Sequence, residues 1–236
     1  MSRDATPPAP PGLREAKKQE TRQLISDVAT DLFLSQGFEQ TTIAEIAAAA
    51  RVAKKTVTNY FPRKEDLALD HQDTFVASLA ATVSGRQAGE SVLTALRRAF
   101  ADAAAAADPV AGFSGPGFAH MIADSPTLSA RLRELHDLRE AALAAALADT
   151  TGTPRGDITP RTAAALLGAV HRTLFQRIQE LTLAGQDNAG ISATVIAEAD
   201  RAFGLLESSL ADYASVGTAG SPPRAVTRPD REPKKP

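Results

Sequence analysis

The 236-residue sequence has no cysteine. That excludes a disulfide framework and any metal site built on thiolates, and it matches a chain kept in a reducing cytoplasm, the expected location. Aromatic residues make up only 5%, whereas alanine is abundant, a balance that favours closely packed helices over strands. No run of about 18 apolar residues occurs, so no transmembrane helix is expected. The opening residues Met1 to Pro8 lack the apolar core of a signal peptide. Histidines are few, and His71, His120, His136 and His171 form neither an HExxH motif nor a pair four apart, so no zinc site is expected. Gly112-Phe113-Ser114-Gly115 is not GxSxG, and neither a Walker A motif nor a dinucleotide-binding glycine pattern is present. Neither an enzyme nor a cofactor is called for.

A sizeable core is available, because 43% of residues are hydrophobic. The formal net charge of -2 does not advertise nucleic-acid binding, so any such affinity must be local. From Arg14 to Lys64 nine basic residues face six acidic ones, reversing the sign of the whole chain over that stretch.

Hydrophobic periodicity is helical throughout and no alternating strand stands out, giving an all-α expectation of about nine helices. Residues 1–13, rich in Pro and Ala, and 215–236, rich in Gly, Ser and Pro, are expected to be disordered. Between them, 14–63 reads as a DNA-binding unit and 64–214 as a helical effector-binding and dimerisation unit. The first helix, from about Lys17 to Gln36, carries Ile25, Val28, Ala29, Leu32 and Phe33 on one face, with Gly37 and Phe38 as a Schellman ending. Thr42 and Glu45 have capping-box spacing ahead of a second helix. A fourth helix is expected from about Lys64 to Val83. Further helices are expected from Ser91 to Ala107, from Pro126 to Thr150, from Pro160 to Ala184 and from Ile191 to about Tyr213. The last two present Leu167, Val170, Leu174, Ile178 and Leu181, and Val195, Ala202, Phe203, Leu206 and Leu210.

The stretch from Thr42 to Glu65 makes the most specific chemical claim. Two short helices joined by a tight turn, the second opening with Lys54-Lys55, are how a helix-turn-helix offers a probe to the major groove. Packing Ile43, Ile46, Ala47, Val52, Val57 and Phe61 against the first helix leaves Lys54, Lys55, Thr56, Thr58, Asn59 and Tyr60 outward. Lysines suit phosphates or guanine edges, Thr a thymine methyl and Asn an adenine. Arg3, Arg14, Lys17, Lys18 and Arg22 are either an arm for the minor groove or a solvated terminus.

Phe33, Gly37-Phe38, Thr41-Thr42-Ile43, Ile46-Ala47, Ala50, Val52, Lys54, Thr56-Val57, Asn59-Tyr60-Phe61 and Lys64-Glu65-Asp66-Leu67 together resemble the tetracycline-repressor (TetR) family of bacterial regulators, with an alanine-rich style similar to actinobacterial members. The resemblance covers about residues 20 to 70 as a motif and the remainder only as architecture. It implies a repressor that binds a palindromic operator as a homodimer through the last two helices, and that a small-molecule effector releases. It also implies phosphate contacts from Thr42, Tyr60 and Lys64. An effector cavity is implied after residue 65, with His71, Phe75, Phe113, Phe118, His120, Met121, His171, Arg172 and Phe175 as candidate contacts. The glycines from Gly112 to Gly117 read as a gate or as a plain loop.

The sequence departs from the family pattern at Arg51, where Gly is common, at Ala53, where a Ser cap is common, at Thr58, where an aromatic is common, and at Arg63. A left-handed Arg51 costs on the order of 1 kcal/mol, and a missing cap roughly 0.5–2 kcal/mol. Those departures leave Arg51 as a further phosphate contact. They also keep in view an interaction scaffold that has lost DNA recognition, while a shielded or very small cavity would favour a ligand-independent or nucleoid-associated DNA-binding protein of the same fold.

Overall fold

A computed structural model describes residues 12–214, and every regular element among them is helical. The segments expected to be disordered fall almost entirely outside the described residues. Helix α1 (Leu13–Gln36) starts four residues earlier than its apolar face suggested. It buries Ile25, Ala29 and Phe33 against α2 (Ile43–Ala49) and α3 (Lys54–Tyr60). Gly37 has φ 89° and ψ 149°, outside the left-handed helical region, so the expected Schellman ending does not form there. Phe38 nevertheless packs on Phe33, with ring centroids 5.0 Å apart.

Two expected long helices are each broken, giving eleven α-helices among the described residues instead of about nine. After Pro62 the chain forms α4 (Glu65–Ala68) and α5 (Gln72–Ser84). Leu69 leaves helical geometry at φ -116°, ψ 50°, and Asp70 accepts a hydrogen bond from Ser26 Oγ of α1 at 2.6 Å. That side-chain bond pins the break against the first helix. At the other end α10 (Asn188–Gly204) stops at a glycine, a poor helix residue, and Leu205 points into solvent before α11 (Glu207–Leu210).

The intervening elements are α6 (Val92–Ala105), a 3-10 turn at Pro109–Ala111, α7 (Gly115–Asp124), α8 (Pro126–Thr151) and α9 (Ile158–Leu183). Ser125 caps α8 by accepting from the Leu128 N–H at 3.1 Å, with Pro126 at the first helical position as the sequence suggests.

Two cores result. One joins α5, α6, α8, α9 and α10 through Leu79, Leu96, Leu143, Leu167 and Phe203. The other begins in the three-helix unit at Ile25, Ile46, Val57 and Phe61 and continues through Leu67 and Phe75 to Ile122, Leu128 and Phe175. The amino-terminal unit is therefore packed continuously onto the larger helical body. Leu167, Leu174, Ile178, Leu181, Val195 and Phe203, which the sequence left open between a partner and the chain's own core, belong to the first of these cores. The outward faces carry Ala165, Leu166, Ala169 and Thr173 on α9 and Ala193 and Ala197 on α10.

Candidate DNA interface and effector cavity

Helix α2 starts with the expected capping box. The Thr42 hydroxyl accepts from the Glu45 N–H at 3.2 Å, and the Thr42 N–H donates to Glu45 Oε2 at 2.8 Å. Its end is a Schellman pair: the Val52 N–H donates to Ala47 O at 2.9 Å and the Arg51 N–H to Ala48 O at 3.1 Å. Arg51 is the pivot at φ 56°, a left-handed conformation in which glycine is the usual residue. Its side chain is exposed. Ala53 then precedes α3 with extended backbone and no side-chain cap.

Only Val57 of α3 is fully buried; Lys54, Lys55 and Asn59 are exposed, and Thr56, Thr58 and Tyr60 half-buried. Thr58 Oγ1 donates to Lys55 O at 3.2 Å within the helix. The carboxyl end of α3 is held from α1: Arg22 donates to Tyr60 O at 3.1 Å and lies over the Phe61 ring at 4.3 Å. Arg22 is thereby a clamp on the third helix. Arg14, Lys17 and Lys18 are exposed on the first turns of α1, and Arg3 lies outside the described residues.

Lys64 is engaged within the protein. Its ammonium donates to Phe38 O at 2.9 Å and Thr41 O at 3.1 Å, and sits 4.2 Å from the centre of the Phe38 ring. Nor does it open a long helix whose dipole favours phosphate: α4 is four residues and begins with Glu65 and Asp66. Lys64 braces the loop that presents Thr42.

Residues 25–70 match the family described as bacterial regulatory proteins, tetR family. Over 93 residues the chain is 39% identical to the HTH-type transcriptional regulator TcmR of Streptomyces glaucescens, a match covering 39% of this chain and 41% of that protein. Over its amino-terminal third the chain is thus similar to TetR-family regulators. A shorter match, 49% identical over 49 residues, relates it to the HTH-type regulator AcrR of Shigella flexneri, covering 21% of this chain and 23% of that protein. The chain thus matches less than half the length of these relatives. The fold as a whole is similar to the crystal structure of a TetR-family regulator from Syntrophomonas wolfei (TM-score 0.51, 18% identity, 79% of this chain and 96% of that one). It is also similar to NalD, the secondary repressor of the MexAB-OprM multidrug efflux pump in Pseudomonas aeruginosa (TM-score 0.50, 18% identity, 79% and 97%).

In the helical body a cleft of about 600 Å³ opens between α1, α5, α7, α8 and α9. Five of the nine sequence candidates line it: His71, Phe75, Phe113, Phe118 and Phe175. His171 instead lines a second, smaller chamber of about 180 Å³. The other three line neither. His120 is exposed on α7, Met121 is packed into the core, and Arg172 is paired with Asp137 at 3.3 Å and Glu140 at 3.4 Å. Gly112 lies tight against α9, where an added Cβ would stand 3.3 Å from Ile178 and Phe175, so the glycine stretch is anchored at its start.

Two residues that sequence reasoning did not select complete this region. His136 lies between the rings of Phe75 and Phe175, 5.0 and 5.2 Å away and edge-on to each. Its burial, aided by the neighbouring Arg139 and Arg172 charges, pushes its pKa down to about 4. Arg139 is buried with its guanidinium 4.5 Å from the centre of the Phe75 ring. Both sit in a run of α8 where charged and apolar residues alternate without a clear face, which hides them from periodicity.

The cavities connect to α3 through ion pairs at the start of α8. Arg131 holds Asp66 of α4 at 3.2 Å and donates to Gln72 of α5 at 2.6 Å. Arg63 pairs with Glu134 at 3.3 Å. Ser125 donates to Glu39, whose carboxyl is held below the usual carboxylate range chiefly by that hydrogen bond.

Proposed function

We propose that the protein is a transcriptional repressor that binds a palindromic operator as a homodimer and leaves it when a small molecule fills its helical body. The observation that carries this reading is α3: a short helix, clamped from α1 by Arg22, that turns Lys54, Lys55 and Asn59 outward. Lys54, Lys55 and Arg51 serve phosphates or guanine edges, and Thr56 and Asn59 read base edges. Thr42, Thr58 and Tyr60 border the same surface. Two such helices about 34–36 Å apart read two half-sites on one face of DNA.

The DNA-binding unit is taken as 14–63 and the effector and dimerisation unit as 64–214. Their partners are double-stranded operator DNA, a second copy of the chain and the effector. No described helix is long and apolar enough to cross a membrane, in keeping with a regulator that works on cytoplasmic DNA. The cleft of about 600 Å³ argues against a ligand-independent protein of this fold. An effector wedged among Phe75, Phe113 and Phe175 would displace α5 against α8. The Arg131–Asp66 pair would carry that displacement to α4 and so to the angle of α3. Effector and operator then weaken each other's binding by the same factor.

The test is a gel shift with the DNA upstream of the protein's own gene across a range of salt. A shift that weakens steeply with salt is expected. Absence of any salt-sensitive shift there sinks the repressor reading. Asn59→Ala is expected to change base preference more than nonspecific affinity.

A further inference from the structure

The 180 Å³ chamber lies behind the larger cleft, and the two share Val110 as a wall. Arg139 faces this chamber and is only 6% exposed. Its Nε donates to Ser78 Oγ at 2.9 Å, while its two terminal nitrogens donate to no group among the described residues. No carboxylate among the described residues pairs with it. By contrast Arg131, about two turns earlier on α8, holds Asp66 and Glu134, and Arg172 on α9 holds Asp137 and Glu140. Asp108 also lines the chamber, but its carboxylate accepts from the Val110 N–H at 2.8 Å and makes no ion pair with Arg139. A buried charge without a counter-ion is costly, so an empty fork here is the exception among the internal arginines.

A second group points the same way. His171 is 6% exposed, its ring is edge-on to Phe100 and Phe203 at 5.9 and 5.5 Å, and its Nε2 is buried with no hydrogen-bond partner. The hydroxyls beside the chamber are used elsewhere, Ser78 donating to Phe75 O and Thr82 to Ser78 O. The remaining walls, Leu79, Leu96, Phe100, Ala103 and Ala111, are apolar. The Arg139 guanidinium thus borders a chamber of about 180 Å³ whose other polar groups, Asp108, Ser78 and Thr82, bond within the protein, with the unpartnered His171 imidazole in its wall.

We propose that this chamber receives the carboxylate of an organic-acid effector, with Arg139 as its counter-ion and His171 as a second hydrogen-bond donor. This rests on the reading that the helical body binds an effector, and it assigns that effector's chemical class. A planar carboxylate matches the guanidinium fork in a bidentate pair, and the apolar walls suit a hydrocarbon body that passes Val110 into the aromatic cleft. Desolvation lowers Arg139 only to about 10, so it is charged at neutral pH, whereas His171 is held neutral by burial and by the Arg139 charge and donates through an Nε2 proton. His136, also neutral, stands behind Phe75 and adds no competing anion. Because Arg139 lies on α8 and over Phe75 of α5, an anion arriving at its fork acts on the two helices that grip α4 through Arg131.

The experiment uses the full-length protein without DNA. Benzoate, phenylacetate and octanoate are each compared with the corresponding neutral amide by thermal unfolding and by titration calorimetry. At least one acid is expected to raise the melting temperature while its amide does not. Arg139→Met is expected to weaken that acid by about tenfold or more and, by removing an unpaired buried charge, to melt no lower than the parent. His171→Phe, which keeps the aromatic packing, is expected to weaken the same acid several-fold. The proposal is overturned if acids and amides behave alike, if no acid raises the melting temperature, or if Arg139→Met keeps the response. Operator binding is read separately by gel shift. A protein that shifts DNA and ignores the acids loses this inference alone, and one that binds an acid through Arg139 without shifting DNA loses only the repressor reading.

Discussion

Arg51 shows how much a single position settles in the turn between α2 and α3. Its φ of 56° is one that glycine adopts freely and an L side chain adopts at a cost of roughly 1–2 kcal/mol. Yet the Schellman bonds from Arg51 and Val52 to Ala48 and Ala47 are in place, so the turn keeps its geometry and retains an exposed guanidinium beside α3. Arg51→Gly is therefore expected to stabilise the fold by about 0.5 kcal/mol or more, the relief of strain being offset in part by the freer unfolded chain. It is also expected to lower the slope of log affinity against log salt by about 0.9, the share of one phosphate contact. Urea unfolding checks the first and gel shifts at several salt concentrations the second; an unchanged slope removes Arg51 from the interface. Lys64 predicts differently, because its ammonium is spent on Phe38 O and Thr41 O. Lys64→Ala is expected to cost on the order of 1–2 kcal/mol of stability and to weaken every DNA sequence alike, with the salt slope falling by well under one unit. A full unit would assign Lys64 directly to phosphate.

Among the elements, those that carry local signals were legible from residue types alone. The Thr42–Glu45 box, the Ser125–Pro126 start of α8 and the left-handed turn at Arg51 all depend on neighbours within five residues. The misread elements depend on distant ones. The break between α4 and α5 is pinned by Ser26 of α1, and the α9 and α10 apolar faces, left open between fold and partner, are assigned to the fold only by the packing of α5, α6 and α8. The site divides in the same way. Aromatic candidates such as Phe75 and Phe175 were visible as large apolar residues, whereas Arg139 and His136 are polar residues that only tertiary packing buries. The joint between α4 and α8 offers a test at this scale. The Arg131 and Asp66 side chains are 12% and 7% exposed, so Arg131→Met leaves a nearly buried carboxylate with little beyond the Arg63 N–H. A loss of about 3 kcal/mol is expected. Asp66→Asn on top of Arg131→Met should recover part of it by removing the stranded charge. Denaturant unfolding of the two single variants and the double variant measures the coupling, and strict additivity would mean that the pair does not join the two helices.

At the scale of the whole molecule, the buried histidines set an acid limit. His136 has an ordinary pKa of 6.5 and a folded value of about 4. Above pH 6.5 neither state binds its proton; as pH falls from 6.5 towards 4 the unfolded chain takes up a proton that the folded chain refuses, so stability drops. The separation corresponds to roughly 3 kcal/mol at the low end, and His171 is shifted in the same direction. His136→Phe, which preserves the edge-on contacts with Phe75 and Phe175, should flatten the pH dependence of unfolding in this window; an unaltered curve would show that His136 titrates normally. Assembly supplies the other test. Since Leu167 is fully buried and Leu166 is 40% exposed on the next position of α9, adjacent residues separate fold from partner. Leu167→Ala should cost about 2–5 kcal/mol of folding stability. Leu166→Glu should leave the fold intact and place a charge on the small-residue surface of Ala165, Ala169 and Ala197, where a second copy would pack. Light scattering at micromolar concentration should then report a dimer for the parent and a monomer for Leu166→Glu, whose operator affinity falls because one recognition helix reads only one half-site. A parent monomer, or a Leu166→Glu dimer of undiminished affinity, would move the partner surface away from α9 and α10.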